Sequence, residues 1–202
     1  MIILFFSRPA GTFFIPMKTL ILLGPLGHET GRLPENGGIL MEFTPFRKNC
    51  ITETEARRAA VSCDPETPRY GRFASPSPNQ LLYFFSEDLI NGAILTEADE
   101  RTLLRLAETV KAPIFLAANT DREESLRQRE RLPVRGLYFP AAPSGDTLKN
   151  RKKPYITVFP ENTDEEAAAR FRRHPPFAFH CKTEGEAEKA ARWIKKISKE
   201  MR

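Results

Sequence analysis

Two stretches of the chain are written in the same order. Pro113-Ile-Phe-Leu-Ala-Ala runs into Asn119-Thr120 and then Glu123. Pro154-Tyr-Ile-Thr-Val-Phe runs, past Pro160 and Glu161, into Asn162-Thr163 and then Glu166. A threonine hydroxyl at the end of an apolar run can accept from a helix amide that has no intrahelical partner. An acid three residues on can reach back to the threonine amide. The spacing returns at Thr183/Glu186 and, with aspartate, at Thr96/Asp99. Each such cap contributes about 1 kcal/mol. More usefully, each marks where a strand hands over to a helix.

Taken along the chain, this punctuation predicts strands at Leu81–Phe85, Pro113–Ala118, Val134–Phe139, Tyr155–Phe159 and Phe177–Cys181. Helices are expected from Thr96, over Asp121–Arg131, over Asp164–Arg173 and at the carboxyl end. The last buries Ala187, Ala190, Ala191, Ile194 and Ile197 on one face. Leu81-Leu-Tyr-Phe-Phe85 is continuously apolar, as in a strand covered on both faces. Five strands alternating with helices predict a three-layer α/β fold. Its sheet is mostly parallel and five-stranded, in the flavodoxin-like order 2-1-3-4-5, with helices on both faces.

The α/β domain is expected over residues 81–202. Residues 41–80 read as a proline-rich arm. Thr52-Glu-Thr-Glu55 opens a short helix there, and Pro65, Pro68, Pro76 and Pro78 keep the rest extended. Arg69, Tyr70, Arg72 and Phe73 are expected to pin this arm to its own domain. Residues 1–40 read as a poorly structured leader. Arg8, Pro9, Pro16, Lys18 and Pro25 break every apolar run short of the roughly 18 residues a membrane span needs. Met17-Lys18 faintly resembles a signal-peptide start. Gly37-Gly38, with guanine-rich codons just before Met41, suggests Met41 as the natural start.

Charge and cysteine content narrow the partners. The formal net charge of +5 permits an anionic partner without requiring one. Three cysteines without a C-x-x-C pair argue against a disulfide scaffold. Free thiols in a cytoplasmic protein are the reading. No membrane association is expected.

In an open parallel sheet, ligands meet the carboxyl ends of the strands. That rule selects Glu87, Asp88, Asn119, Asp146, Asn162, His180 and Lys182 as ligand-binding candidates. Glu87 and Asp88 are the candidate metal ligands, with Mg²⁺ the cofactor such an acid pair admits.

Leu81–Lys199 resembles a response-regulator receiver domain in element order and length. Glu87-Asp88 looks like that family's metal-binding acids. Phe177-Ala-Phe-His-Cys-Lys182-Thr183 looks like its strand-five lysine segment. The aspartate that the family phosphorylates is missing, because Phe139-Pro140-Ala141 stands at the end of the third strand. The resemblance therefore implies a non-catalytic interaction or regulatory module with a protein partner. An alternative is a small Mg²⁺-dependent phosphoryl-transfer or phosphatase-like enzyme using Asp88 and Lys182. A second alternative is weak nucleic-acid binding through Arg127/Arg129/Arg131, Lys149–Lys153, Arg170/Arg172/Arg173 and Lys195/Lys196/Lys199, all interspersed with acids.

Overall fold

The computed structural model describes residues 19–24, 33, 34, 36–44, 50–120 and 122–200. The readings placed on Met17-Lys18 and Asp121 lie outside the described residues.

Eight parallel strands close into a barrel, in sequence order around the ring. They are β1 (Leu20–Leu23), β2 (Gly37–Glu42), β3 (Arg69–Phe73), β4 (Gly92–Leu95), β5 (Ile114–Ala117), β6 (Gly136–Phe139), β7 (Tyr155–Val158) and β8 (Ala178–Cys181). Closure is made by β1, which pairs with β2 on one side and β8 on the other. Among the described residues seven helices connect or follow the strands: α1 (Glu53–Ser62), α2 (Pro78–Ser86), α3 (Glu100–Thr109), α4 (Glu123–Arg131), α5 (Gly145–Lys149), α6 (Glu165–Arg173) and α7 (Glu184–Glu200). This is a (β/α)8 barrel. It replaces the open, five-stranded, flavodoxin-like sheet expected from the sequence.

The correction has a local cause. Leu81–Phe85 is not a strand but the middle of α2. Ser77 accepts from the Gln80 amide, and Pro78 sits in the first turn with its φ already helical. Leu81 and Phe84 are buried while Tyr83 is 39% exposed, so the run has a helical period. A short apolar run does not distinguish a buried strand from a buried helix. The strand it displaced is β4, four residues long and fully buried.

The arm and leader also change meaning. Arg69–Phe73 is β3, between β2 and β4. Residues 20–23 and 37–42 supply β1 and β2, and Met41 is buried within β2. The expected helix at Thr52 is present with both halves of its capping box. Elsewhere the caps shift. Asp99 and Asp164, not Thr96 and Thr163, accept from the amides of Thr102 and Ala167. Thr183 does cap, accepting from the Glu186 amide at 3.2 Å.

Side chains alternate in and out along each strand. Leu22, Leu40, Tyr70, Ile94, Phe115, Ala117, Tyr138, Ile156 and Ala178 fill the barrel interior. The floor is tight: a Cβ on Gly92 would lie 2.4 Å from the Tyr70 ring, so only glycine fits under that aromatic. Outward-facing residues pack against the helices in two further clusters, one around Phe171, Phe179 and Trp193, the other around Phe43, Phe73 and Phe84. At about 25 cal/mol per Å² of apolar surface buried, these three clusters provide the main favourable term in folding. No described helix is long and apolar enough to cross a membrane.

Candidate active site in the barrel mouth

Polar side chains enter the barrel near the carboxyl ends of its strands. Glu42 is the last residue of β2, Arg72 the fourth of β3, Tyr138 the third of β6 and His180 the third of β8. Pleating brings them inward: Glu42, Arg72 and His180 each lie two positions from an interior residue, Leu40, Tyr70 and Ala178, and Tyr138 belongs to the interior cluster itself.

The four form a connected chain. Glu42 and Arg72 are register partners on neighbouring strands. Arg72 Nε donates to Glu42 Oε2 at 2.6 Å, and Arg72 Nη2 donates to the same oxygen. Glu42 Oε1 accepts from the Thr44 amide at 3.0 Å. On the other side, Arg72 Nη1 lies 3.4 Å from the Tyr138 hydroxyl, as donor to it. Tyr138 is 2.8 Å from His180 Nδ1, and His180 Nε2 is 2.7 Å from the Gly24 carbonyl oxygen.

That geometry fixes the protons. A carbonyl only accepts, so His180 carries its hydrogen on Nε2. Burial pushes the His180 pKa down to about 4, with Arg72 and Lys182 acting in the same sense against the Gly24 hydrogen bond. The ring is therefore neutral, and its Nδ1 accepts from the Tyr138 hydroxyl. The Tyr138 oxygen in turn accepts from Arg72. Burial opposes the Arg72 charge, but Glu42 and Tyr138 outweigh it and hold the guanidinium above its ordinary pKa.

Exposure separates the roles. The Glu42 side chain is 1% exposed and that of Arg72 15%, while Tyr138 and His180 are buried. Arg72 is the member that opens to the mouth. Two of its five N–H groups are not used by Glu42 or Tyr138. The Thr44 hydroxyl, beside the same carboxylate, is buried and has no hydrogen-bond partner among the described residues.

The sequence candidates are distributed around both poles. His180 belongs to the chain just described. Lys182 follows β8 and Asn162 follows β7, so both stand at the carboxyl-terminal rim, exposed to solvent. Asn119 follows β5, and Asp146 is in the first turn of α5 after β6. Glu87 and Asp88 lie at the opposite pole, between α2 and the start of β4. Glu87 pairs with Arg57 at 2.9 Å, and Asp88 with Arg69 at 2.9 Å. Among the described residues no group of three or more His, Cys, Asp or Glu is placed to hold a metal ion. The Cys181 side chain faces the α7 layer rather than the interior, where burial raises its thiol pKa to about 12.

Part of the basic clusters is committed to the protein itself. Arg151 bonds Glu123 and Glu130, Arg129 donates to the Ala117 carbonyl, and Lys153 to the Leu132 and Val134 carbonyls. Arg170 and Arg172 pair with Glu166 and Glu165. These pairs and carbonyl contacts tie the helix surface together.

Glu42, Arg72 and Tyr138 are the members that the sequence reading missed. The available signal was slight: an acid closing the apolar run Ile39-Leu40-Met41, and a period-two Tyr70/Arg72 alternation inside the supposed arm.

Comparison with known proteins agrees with the topology. No family model matches the chain, and no curated protein does. Among solved structures it is similar to the phosphoribosyl anthranilate isomerase of Thermus thermophilus, with a TM-score of 0.60, 18% identity, and 82% and 88% of the two chains covered. It is similar to that of Thermotoga maritima, with a TM-score of 0.57, 21% identity, and 72% and 76% covered. A third such isomerase, in complex with reduced 1-(o-carboxyphenylamino)-1-deoxyribulose 5-phosphate, gives a TM-score of 0.58 at 21% identity, with 72% and 75% covered. The likeness is one of fold. It overturns the receiver-domain resemblance, and with it the non-catalytic module and the phosphoryl-transfer alternative built on Asp88 and Lys182. The neighbours are enzymes on a closed barrel, and Asp88 stands at the pole away from Lys182.

Proposed function

We propose that this chain is an acid–base isomerase working at the carboxyl-terminal mouth of its barrel, on an N-aryl ribosyl substrate. The observation that carries the reading is the buried Glu42–Arg72–Tyr138–His180 chain in that mouth. Active sites of such barrels lie at this face in essentially every characterised case. The names of the fold neighbours supply the reaction type: a ribosyl amine becomes a 1-amino-1-deoxyribulose.

That conversion moves hydrogen without net oxidation. In the open-chain substrate the C2 hydrogen leaves as a proton and a proton arrives at C1. The C2 hydroxyl becomes a carbonyl, and the C1–nitrogen double bond becomes an amine. Once the ring is open, two protein functions serve this step: a base that takes the C2 proton and returns one to C1, and a fixed positive group at the C2 oxygen that favours loss of the hydroxyl proton while the nitrogen gains one. Glu42 is the carboxylate in place for the first, through Oε1, which accepts from the Thr44 amide. Arg72 fits the second, with two N–H groups that neither Glu42 nor Tyr138 uses. Tyr138 and His180 are positioning residues that hold the guanidinium plane from its far side.

The test is turnover of N-ribosyl anthranilate and its 5-phosphate in D2O. Conversion to the ribulosyl product with deuterium at C1 supports the reading, and Glu42→Gln should abolish it while keeping a cooperative thermal transition, at a lower temperature because Arg72 then lacks its counter-charge. No conversion of either compound sinks it, as does undiminished turnover in Glu42→Gln. Free Cys50, Cys63 and Cys181 suit the cytoplasmic location proposed with this reading.

A further inference from the structure

A buried base has to hold the proton it takes. In the step above, the C2–H bond breaks and its electron pair joins C2 to C1, as the C1–nitrogen double bond becomes an amine. The proton passes to Glu42, which is then a neutral carboxylic acid until it protonates C1. Such an acid has one O–H to donate, and a buried donor without an acceptor is costly.

The resting contacts narrow where that hydrogen can go. Glu42 Oε2 already accepts from Arg72 Nε and Nη2, and a guanidinium offers no acceptor. Oε1 accepts from the Thr44 amide at 3.0 Å, another group that only donates. The β2 ladder runs on past Glu42, because the Phe43 amide donates to the Arg72 carbonyl at 2.8 Å. Phe43 packs outward with Phe73 and Phe84, so alternation returns Thr44 to the side of Glu42. Thr44 is 9% exposed. Among the described residues its hydroxyl is the one that is buried without a hydrogen-bond partner. Buried hydroxyls in native proteins are nearly always bonded, and one left open beside a base is explained by a partner that forms during the reaction.

We infer that Thr44 is a positioning residue for the base: once Glu42 has taken the C2 proton, its Oε1–H donates to the Thr44 hydroxyl oxygen, which fixes the acid until C1 takes the proton. The inference rests on the isomerase reading, in which Glu42 is that base. In the resting ion pair the hydroxyl makes no bond, so the contact belongs to the protonated state alone.

Steady-state kinetics of the full chain with N-ribosyl anthranilate and its 5-phosphate compare the parent, Thr44→Val and Thr44→Ser. A contact made only after the proton has moved lowers kcat and leaves KM, so Thr44→Val should lose about tenfold in kcat at unchanged KM. Thr44→Ser, which keeps the hydroxyl, should restore kcat to within about threefold of the parent. Thr44→Val should melt no lower than the parent, because the hydroxyl it removes has no bond to lose. An unchanged kcat in Thr44→Val overturns the inference, as does a Thr44→Ser protein equally slow, or a loss that lies in KM. A second measurement does without turnover. Glu42→Gln places a neutral side chain with an N–H donor where the acid would stand. Urea midpoints of the parent, Glu42→Gln, Thr44→Val and the double variant form a cycle. Thr44→Val should lower the midpoint in the Glu42→Gln background and not in the parent, and equal shifts in both overturn the inference. If the parent converts neither compound, the isomerase reading falls, and the cycle alone decides whether Thr44 accepts from a neutral side chain at position 42.

Discussion

Arg72 on β3 stands beside Glu42 on β2, its register partner, and the two close a buried ion pair at the barrel mouth. Removing one partner of such a pair is worse than removing both, because an uncompensated charge then stays in a low-dielectric site. Arg72→Ala is expected to lower unfolding free energy by about 3–5 kcal/mol. The double substitution Glu42→Leu with Arg72→Met should recover most of that loss, while remaining inactive. Urea denaturation of the parent, the single variant and the double variant measures both effects. An Arg72→Ala protein as stable as the parent would mean that the carboxylate finds another partner.

His180 links stability to pH. Its pKa is pushed down to about 4 in the folded protein, against about 6.5 in an unfolded chain. The unfolded state therefore binds more protons between these values. Stability is fully present above about pH 6.5 and falls as the pH drops toward 4. At pH 4.5 the loss attributable to this group is about 2–3 kcal/mol. A His180→Gln variant, neutral at every pH, should be less stable at pH 7 but should show a flatter profile over this window. Thermal unfolding at pH 7, 6, 5 and 4.5 compares the slopes, and identical slopes would discount the buried neutral ring.

Tyr138→Phe removes the joint between the two halves of the network. His180 Nδ1 loses its donor, and Arg72 loses its contact on the side away from Glu42. The expected stability cost is about 1–3 kcal/mol, that of an unsatisfied buried acceptor. If Tyr138 positions rather than reacts, kcat for the riboside should fall while the pH profile keeps its shape. A new ionisation in the profile would instead put the phenol in the chemistry.

Half of the barrel was legible in the sequence and half was hidden for definable reasons. β5, β6, β7 and β8 coincide with expected strands because prolines bound their apolar runs on one side and turn or capping residues on the other. β4 escaped because Leu81–Phe85, a helix, claimed the strand next to it. β1 and β2 escaped because prolines and a suggestive methionine made their segment look like a leader. The candidate site shows the same limit. His180 was visible because it ends a strand beside a cap. Glu42 and Arg72 are thirty positions apart, and nothing local says that they meet. Their contact is a property of the β2–β3 register, which exists only once the barrel is drawn. The same closure explains why Glu87 and Asp88 moved to the far pole: with Leu81–Phe85 helical, the chain there is returning to the start of a strand, not leaving its end.

The first strand offers the sharpest test of closure. β1 supplies Ile21, Leu22 and Leu23, all buried, and pairs with both β2 and β8. It also leads into Gly24, whose carbonyl accepts from His180 and whose missing side chain lets the backbone pass Leu40; a Cβ there would lie 2.2 Å from the Leu40 oxygen. A polypeptide begun at Met41 lacks β1, Gly24 and most of β2. It leaves β8 and β3 as open edges, with the apolar interior unroofed between them. Such a chain is expected to aggregate, or to give no cooperative thermal transition, whereas the full chain unfolds in one. Expression of the two forms, followed by size-exclusion chromatography and calorimetry, decides the matter. A monomeric, cooperatively unfolding protein begun at Met41 would show that the barrel does not depend on its first strand, and that His180 finds its acceptor elsewhere.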